Sequence, residues 1–110
     1  MPMSVPPTRG ESWTFLTNHA RVLLCLARDP EARLRDVASV IGITERSVQL
    51  IVADLERAGY LTRTRVGRRN RYAIDTGLAL RHPNEADHPV GDLLNTFLHR
   101  EDAPQEETGR

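Results

Sequence analysis

The chain has 110 residues, 39% of them apolar and 5% aromatic, and its 15 basic residues are all arginine and balance 15 acidic residues. This length predicts one domain with a modest core. The single cysteine, Cys25, excludes an internal disulfide and a four-cysteine zinc site, and no apolar run approaches the ~18 residues of a membrane helix. The first residues lack the charged and apolar regions of a secretory signal, so we expect a cytoplasmic protein.

The first part of the chain predicts an N-terminal arm followed by a helix. Residues 1–16 begin with a proline-rich stretch, so we expect an arm that is mobile or ordered against another surface. Thr17 is a suitable N-cap for a helix over Asn18–Arg28, and Asp29-Pro30 ends it. Cys25 lies in the apolar run of this helix. We expect a buried structural thiol rather than a reactive one, because no base is near it in sequence.

Two further helices are predicted, joined by a short turn. The first begins at Arg35 or Asp36 and ends at Gly42. The second begins after Thr44, a favourable N-cap, and is followed by Gly59, a favourable residue after a helix. Its apolar residues recur with a three-and-four spacing on one face. They are Val48, Ile51, Val52, Leu55 and Ala58.

After the third helix the hydrophobic period changes from helical to alternating, which predicts a β-hairpin. Strands are expected over 60–66 and 71–74, with the turn formers Gly67-Arg68-Arg69-Asn70 between them. A loop with Pro83 and Pro89 follows. The elements together predict a mainly α protein with a small β-hairpin, in which residues 17–75 form the domain.

The C-terminal part predicts one more helix and an acidic tail. The helix is expected over 91–101, and residues 76–101 form the loop and this helix. An apolar stripe runs along it. The stripe consists of Val90, Leu93, Leu94, Phe97 and Leu98. Residues 102–110 are polar and acidic, so we expect a disordered tail.

The charges are segregated along the chain. Residues 1–56 have a net charge of −1, residues 57–74 of +6 and residues 75–110 of −5. The zero average argues against a nucleic-acid partner, whereas the basic middle block indicates a negatively charged one. Since lysine is missing from the whole chain, we attribute its absence to genome composition and the clustering of arginine to function.

A helix-turn-helix pattern runs through residues 37–51. Ala38 is the small residue needed where two short helices approach, and Gly42 suits the tight turn between them. Apolar residues hold both helices on the core, at Val37, Ile41, Ile43, Val48 and Ile51. With the hairpin that follows, this order resembles the winged helix-turn-helix domain of bacterial transcriptional regulators, and it is most similar to the MarR-like and ArsR-like groups.

Two further segments carry the resemblance, which covers about residues 17–75. Residues 54–61 resemble the exit from the recognition helix in these groups, and residues 67–72 resemble their wing. The resemblance implies sequence-directed binding of double-stranded DNA by a homodimer. The recognition helix, 44–58, would lie in the major groove, with the arginine-rich wing, 63–71, on the backbone or in the minor groove. No cofactor is expected.

The residues of the third helix agree with such an interface. With the apolar face turned inward, Arg46 could contact a guanine, Gln49 an adenine and Leu50 a thymine methyl group. The hydroxyls of Thr44 and Ser47 could hold a phosphate with the amides of the helix N-terminus. The predicted DNA-binding residues of this helix are Thr44, Glu45, Arg46, Ser47, Gln49, Leu50 and Arg57. The alternative is that they are simply solvated positions on a surface helix.

The hairpin supplies the second predicted contact. Arg68, Arg69 and Arg71 are expected to contact phosphates or the minor groove, with Arg63 and Arg65 as supports. A solvated charged turn is the alternative. However, five arginines without an acid on the same hairpin repel one another, and a countercharge would relieve that repulsion.

Apolar residues near both ends of the chain predict a homodimer. The expected interface consists of Trp13, Phe15, Leu16, Leu93, Leu94, Phe97 and Leu98. Alternatively, the last helix folds onto the first helix of its own chain. A two-fold axis would place two recognition helices about 34 Å apart.

A metal site is not expected, although two histidines have a suggestive spacing. His88 and His99 are separated by ten residues, like metal ligands of ArsR-like sensors. The pattern is broken because Asp87 is adjacent to His88, Pro89 disfavours a helix there, and Asp102 replaces the usual Glu or His.

Other classes of function compete with DNA binding. A winged helix can serve as a protein–protein interaction module, in which the arginine hairpin would meet an acidic protein surface. An enzyme is not expected, because paired carboxylates, a glycine-rich phosphate loop and a nucleophile with a base are all missing from the sequence. RNA binding would need an aromatic stacking surface, which is scarce.

Overall fold

The computed structural model describes residues 13–98. Within them the order of elements is the predicted one, mainly α with one β-hairpin. The bounds are α1 Asn18–Arg28, α2 Leu34–Ile41, α3 Glu45–Arg57, β1 Leu61–Val66, β2 Arg69–Ile74 and α4 Val90–Leu98. Most of the predicted arm, the predicted end of the last helix and the acidic tail lie outside the described residues.

Helix α1 has the predicted bounds because its caps are local. The Thr17 Oγ1 accepts a hydrogen bond from the Ala20 N–H at 3.2 Å, which satisfies one of the amides left unpaired at a helix start. At the other end Asp29 is extended, as expected for a residue before proline. Sequence alone therefore defines this helix.

Helices α2 and α3 meet at a tight turn. Gly42 has a φ of +88°, in the left-handed region that favours glycine, and its N–H donates to the Ala38 oxygen at 2.8 Å. Ala38 is buried where the two helices approach, as the sequence pattern requires. Helix α2 begins at Leu34, slightly earlier than expected, and α3 ends at Arg57 with Ala58 as its C-cap.

The hairpin turn is shorter than predicted. Strands β1 and β2 are antiparallel in a register that pairs Val66 with Arg69, so only Gly67 and Arg68 connect them. Arg69 and Asn70 therefore belong to β2, and their prediction as turn residues is wrong. Gly67 has a φ of +62°, and a glycine at the first position of a two-residue connection lets the turn follow the twist of the strands.

One apolar core joins all these elements. Helix α1 lies at its centre and contacts α2, α3, α4 and β2. The most deeply buried large side chains are Leu26, Leu94, Val22 and Val48. Leu94 is only 1% exposed and packs inside its own chain, so its prediction as a dimer-interface residue is wrong. The apolar stripe of α4 closes the core of the same chain, as the alternative reading of this helix expected.

The segment 75–89 ties α4 to the hairpin. The Leu80 N–H donates to the His88 oxygen at 3.0 Å and the Val90 N–H to the Leu78 oxygen at 2.7 Å. The Gly91 N–H donates to the Thr76 oxygen at 2.9 Å, in a contact so close that a Cβ at position 91 would lie 2.9 Å from that oxygen. These bonds place the start of α4 against the body of the domain. No helix within residues 13–98 combines the length and hydropathy required to cross a membrane.

Candidate nucleic-acid interface

Helix α3 presents one apolar face to the core and a polar face to solvent. Its inward residues Val48, Ile51, Val52 and Leu55 are all buried. At 100° per residue, Arg46, Leu50, Ala53 and Arg57 lie opposite that buried face. Arg46 and Arg57 are exposed, and Leu50 is 55% exposed. An apolar side chain with this exposure on the outer face of a helix is available to contact a partner.

The two hydroxyls predicted to bind phosphate, those of Thr44 and Ser47, have different roles at the start of α3. The Thr44 Oγ1 accepts from the Ser47 N–H at 3.0 Å and donates to the Ser47 Oγ at 2.9 Å. The Thr44 hydroxyl is therefore occupied as the N-cap. The Ser47 hydroxyl keeps its own proton to donate, so Ser47 is the better phosphate donor of the pair.

A groove separates α3 from the hairpin, and we call it the wing groove. It brings Glu45 and Gln49 of α3 to the same cavity as Arg68 and Arg69 of the hairpin. Residues far apart in sequence thus form one surface. The charged residues that line it are Glu31, Arg33, Glu45, Glu56, Arg63, Arg68 and Arg69.

Arg33 is a member of this surface that the sequence analysis missed. It is exposed, immediately precedes α2 and lines the wing groove. It lies outside both the recognition helix and the hairpin. Its position just before α2 could have indicated it, because the first helix of a helix-turn-helix crosses the DNA backbone.

Acidic residues from other elements partly neutralise the hairpin. The Arg63 guanidinium contacts the Glu56 carboxylate at 3.1 Å and 3.3 Å, and the Arg71 Nε lies 3.8 Å from Glu31. The Arg69 Nη1 donates to the Glu31 backbone oxygen at 2.8 Å. Acids from α3 and from the segment before α2 thus relieve part of the repulsion expected among the five arginines, at Arg63 and Arg71.

Four arginines of the predicted interface form no ion pair within residues 13–98, namely Arg46, Arg65, Arg68 and Arg69. Arg65 donates only to the nearby Gly67 oxygen, at 3.1 Å. Arg68 occupies the hairpin turn itself and is exposed. None of these guanidinium groups is neutralised by an acid in the described residues, so each keeps its charge and several donors for an anionic partner.

The comparison with protein families agrees with this geometry. A family model described as winged helix-turn-helix DNA-binding matches residues 16–62. The order of helices and strands in these residues is that of a winged helix-turn-helix. The match runs from just before α1 into β1, and α3 stands in the position of the recognition helix of that family. The hairpin that follows occupies the position of the wing.

The chain is similar to the PcaV transcriptional regulator from Streptomyces coelicolor, solved in complex with its natural ligand, with 24% sequence identity and a TM-score of 0.49. The similarity covers 83% of this chain and 66% of that chain. No curated protein matches the sequence significantly.

The C-terminal end of α3 is tied to α1. The Asp54 carboxylate lies 2.9 Å from the His19 Nε2 and 2.6 Å from the Arg57 Nη2. The hydrogen bond from His19, and then the charge of Arg57, lower the pKa of Asp54. Arg57 is therefore exposed but already paired, which makes it a weaker candidate for DNA contact than Arg46.

The remaining candidate residues form no metal centre in the described part of the chain. No group of three or more His, Cys, Asp and Glu side chains in residues 13–98 is placed to hold a metal ion. The His88 Nδ1 lies 3.1 Å from Asp92, and this hydrogen bond raises the pKa of His88. Its predicted partners His99 and Asp102 lie outside the described residues. Cys25 is half-buried, and burial raises the pKa of its thiol, which disfavours the nucleophilic thiolate.

Proposed function

We propose that this protein is a homodimeric, sequence-directed transcriptional regulator that acts by binding DNA in the cytoplasm and not by catalysis. The observation that carries the proposal is the wing groove, where Glu45 and Gln49 of α3 and the hairpin arginines share one surface. Helix α3 has 13 residues and is about 19 Å long, and a helix fits the major groove, which is about 12 Å wide. Its outer face then meets base edges.

Different side chains would contact the bases and the phosphates. Arg46 could donate two hydrogen bonds to a guanine, and Gln49 could pair with an adenine from the wing side of α3. Arg68 at the turn would contact phosphates or the minor groove. Such contacts position the protein, whereas those of α3 determine sequence preference.

Exposed aromatic residues support the dimer. Trp13 and Phe15 are 71% and 90% exposed, and they pack on each other at 5.0 Å in a T-shaped pair rather than on the core. Leu93, Phe97 and Leu98 of α4 are only half-buried. Because a solvated aromatic pair gains little by folding, we propose that these side chains pack against a second copy.

Selection of bound DNA from a random duplex pool tests the function. We expect enrichment of a palindromic sequence whose half-sites are about 10 base pairs apart, since a two-fold protein recognises a two-fold site. Enrichment of a single half-site would contradict the dimer but not DNA recognition. Absence of any enriched sequence, with the protein folded by circular dichroism, would favour the protein–protein interaction module.

Light scattering tests the dimer independently. At micromolar concentration we expect a mass of two chains, and Trp13→Ala with Phe15→Ala should shift the protein toward one. The matched control is Val40→Ala on α2, since Val40 is 76% exposed but lies outside the proposed interface. A monomeric wild type would overturn the dimer.

A further inference from the structure

Two glutamates outside the hairpin contact its arginines on opposite strands. Glu56 of α3 holds Arg63 of β1 with both carboxylate oxygens, at 3.1 Å and 3.3 Å. Glu31, before α2, lies 3.8 Å from the Arg71 guanidinium of β2. All of these contacts connect the wing to the body of the domain, and none lies within the hairpin.

These contacts matter because little else fixes the wing. Every residue of β1 after Leu61 is exposed, and in β2 only Tyr72 is fully buried. One backbone hydrogen bond, from the Tyr72 N–H to the Pro30 oxygen at 2.9 Å, joins β2 to the segment before α2. The Arg69 Nη1 also donates to the Glu31 backbone oxygen at 2.8 Å. The position of the hairpin therefore depends on this hydrogen bond and on its two ion pairs.

The same glutamates lie on the surface where DNA would bind. Glu31, Glu56 and Arg63 all line the wing groove beside Arg68 and Arg69. A DNA phosphate in that groove would be repelled by the carboxylates and attracted by the guanidinium that Glu56 holds. Phosphate and carboxylate have similar geometry as arginine acceptors, so they compete for the same donors.

We propose that Glu56 and Glu31 are positioning residues that hold the wing against the domain in the free protein and exchange their arginines for phosphates when DNA binds. We call this pair of contacts the wing latch. The proposal rests on the proposed DNA-binding function. Half-exposed ion pairs contribute only a few-fold to an equilibrium constant, so the latch orders the wing without preventing its release.

The latch lowers DNA affinity and its dependence on salt. When Arg63 binds a phosphate, it loses its ion pair with Glu56. This loss offsets part of the free energy that the phosphate contact contributes. Each phosphate that is neutralised adds about 0.9 to the slope of log affinity against log salt, and an arginine already neutralised by an acid adds less. Substitution of Glu56 should therefore strengthen binding.

The test uses Glu56→Gln, which keeps the size of the side chain and removes its charge. Anisotropy of a labelled random-sequence duplex of about 30 base pairs is measured over a salt series, because about three helical turns hold a dimer. We expect affinity to rise about three- to tenfold and the salt slope to steepen by up to about one. The matched control is Glu85→Gln, which removes the same charge from an exposed acid on the segment 75–89, and it should change affinity less than about twofold.

Arg63→Gln separates a latch from simple repulsion. If Glu56 acts through Arg63, Glu56→Gln in the Arg63→Gln background should have no more effect than Glu85→Gln. An equal increase in affinity with and without Arg63 would overturn the latch, because Glu56 would then only repel phosphate. Weaker binding by Glu56→Gln would also overturn it.

Hydrogen exchange of the free protein distinguishes failure of the latch from failure of DNA binding. In Glu56→Gln the amides of the outer hairpin should exchange faster, while those of α1 remain unchanged. Faster exchange without DNA binding by any variant would leave the latch in place and overturn the proposed function. Unchanged exchange in the hairpin would overturn the latch, whatever the DNA affinity.

Discussion

Helix α3 and the wing line the same groove but are held by different forces. Helix α3 is anchored by Val48, Ile51, Val52 and Leu55, all buried in the core. The wing is anchored by the buried Leu61 and Tyr72 and, at and just beyond the level of Tyr72, by ion pairs with Glu56 and Glu31. Apolar packing is not weakened by the screening of charges or by a charged ligand, whereas ion pairs are weakened by both.

This difference suggests a division of labour between the two elements. Sequence readout needs side chains held at a constant distance from base edges, and a packed helix provides that. Backbone contact tolerates adjustment, because phosphates are similar along every duplex. A rigid helix and a responsive wing therefore suit one binding event.

The largest expected effect tests the packing of α3. Ile51→Ala should lower the free energy of unfolding by about 2–4 kcal/mol, because it leaves a cavity in the core beneath the helix. Its neighbour Leu50 is 55% exposed, so Leu50→Ala should change stability by less than about 0.5 kcal/mol. Denaturant unfolding measures both. Equal losses for the two variants would show that α3 is not anchored as described.

The next effect concerns the unpaired end of the wing. Arg68→Ala with Arg69→Ala should weaken binding about 10- to 100-fold on every duplex and reduce the salt slope by nearly two, one unit for each lost phosphate contact. Anisotropy titrations at several salt concentrations measure this. Unchanged affinity and slope would remove the wing from the interface.

A substitution on the outer face of α3 is expected to cause a smaller loss of DNA affinity, confined mainly to the selected site. Arg46→Ala should cost about 1–2 kcal/mol on the selected site and much less on unrelated DNA, because base contacts carry the sequence information. The readout is the ratio of the two affinities. A uniform loss on both duplexes would make Arg46 a backbone contact and weaken the contrast between helix and wing.

The smallest effect is a pH dependence at the end of α3. Since His19 and Arg57 lower the pKa of Asp54, its carboxylate stabilises the fold above the usual carboxyl range and loses that contribution as the pH falls through the lowered pKa. Lowering the pH below about 4 should therefore reduce the melting temperature of the wild type more than that of Asp54→Asn. Thermal unfolding at a series of pH values measures both. Parallel pH profiles for the two proteins would show that the contact with α1 contributes nothing.

Local signals were sufficient for the elements and for the class of domain. The Thr17 and Thr44 caps, Gly42 in the turn and the three-and-four spacing of α3 act within a few residues, so each could be recognised without a fold. The turn of the hairpin was misjudged because several residues there form turns equally well. Only the pairing of Val66 with Arg69 decides its length.

The order of elements, the outward face of α3 and the basic block thus follow from the sequence by itself, because periodicity, capping and charge clustering are local properties. Tertiary structure alone decided which charges meet. Glu56 reaches Arg63, Glu31 reaches Arg71, and Arg33 joins the wing groove from before α2. It also assigned Leu94 to the core of its own chain. Such contacts depend on how packed elements bring distant residues within a few ångströms, and Coulomb interactions are effective only at those distances.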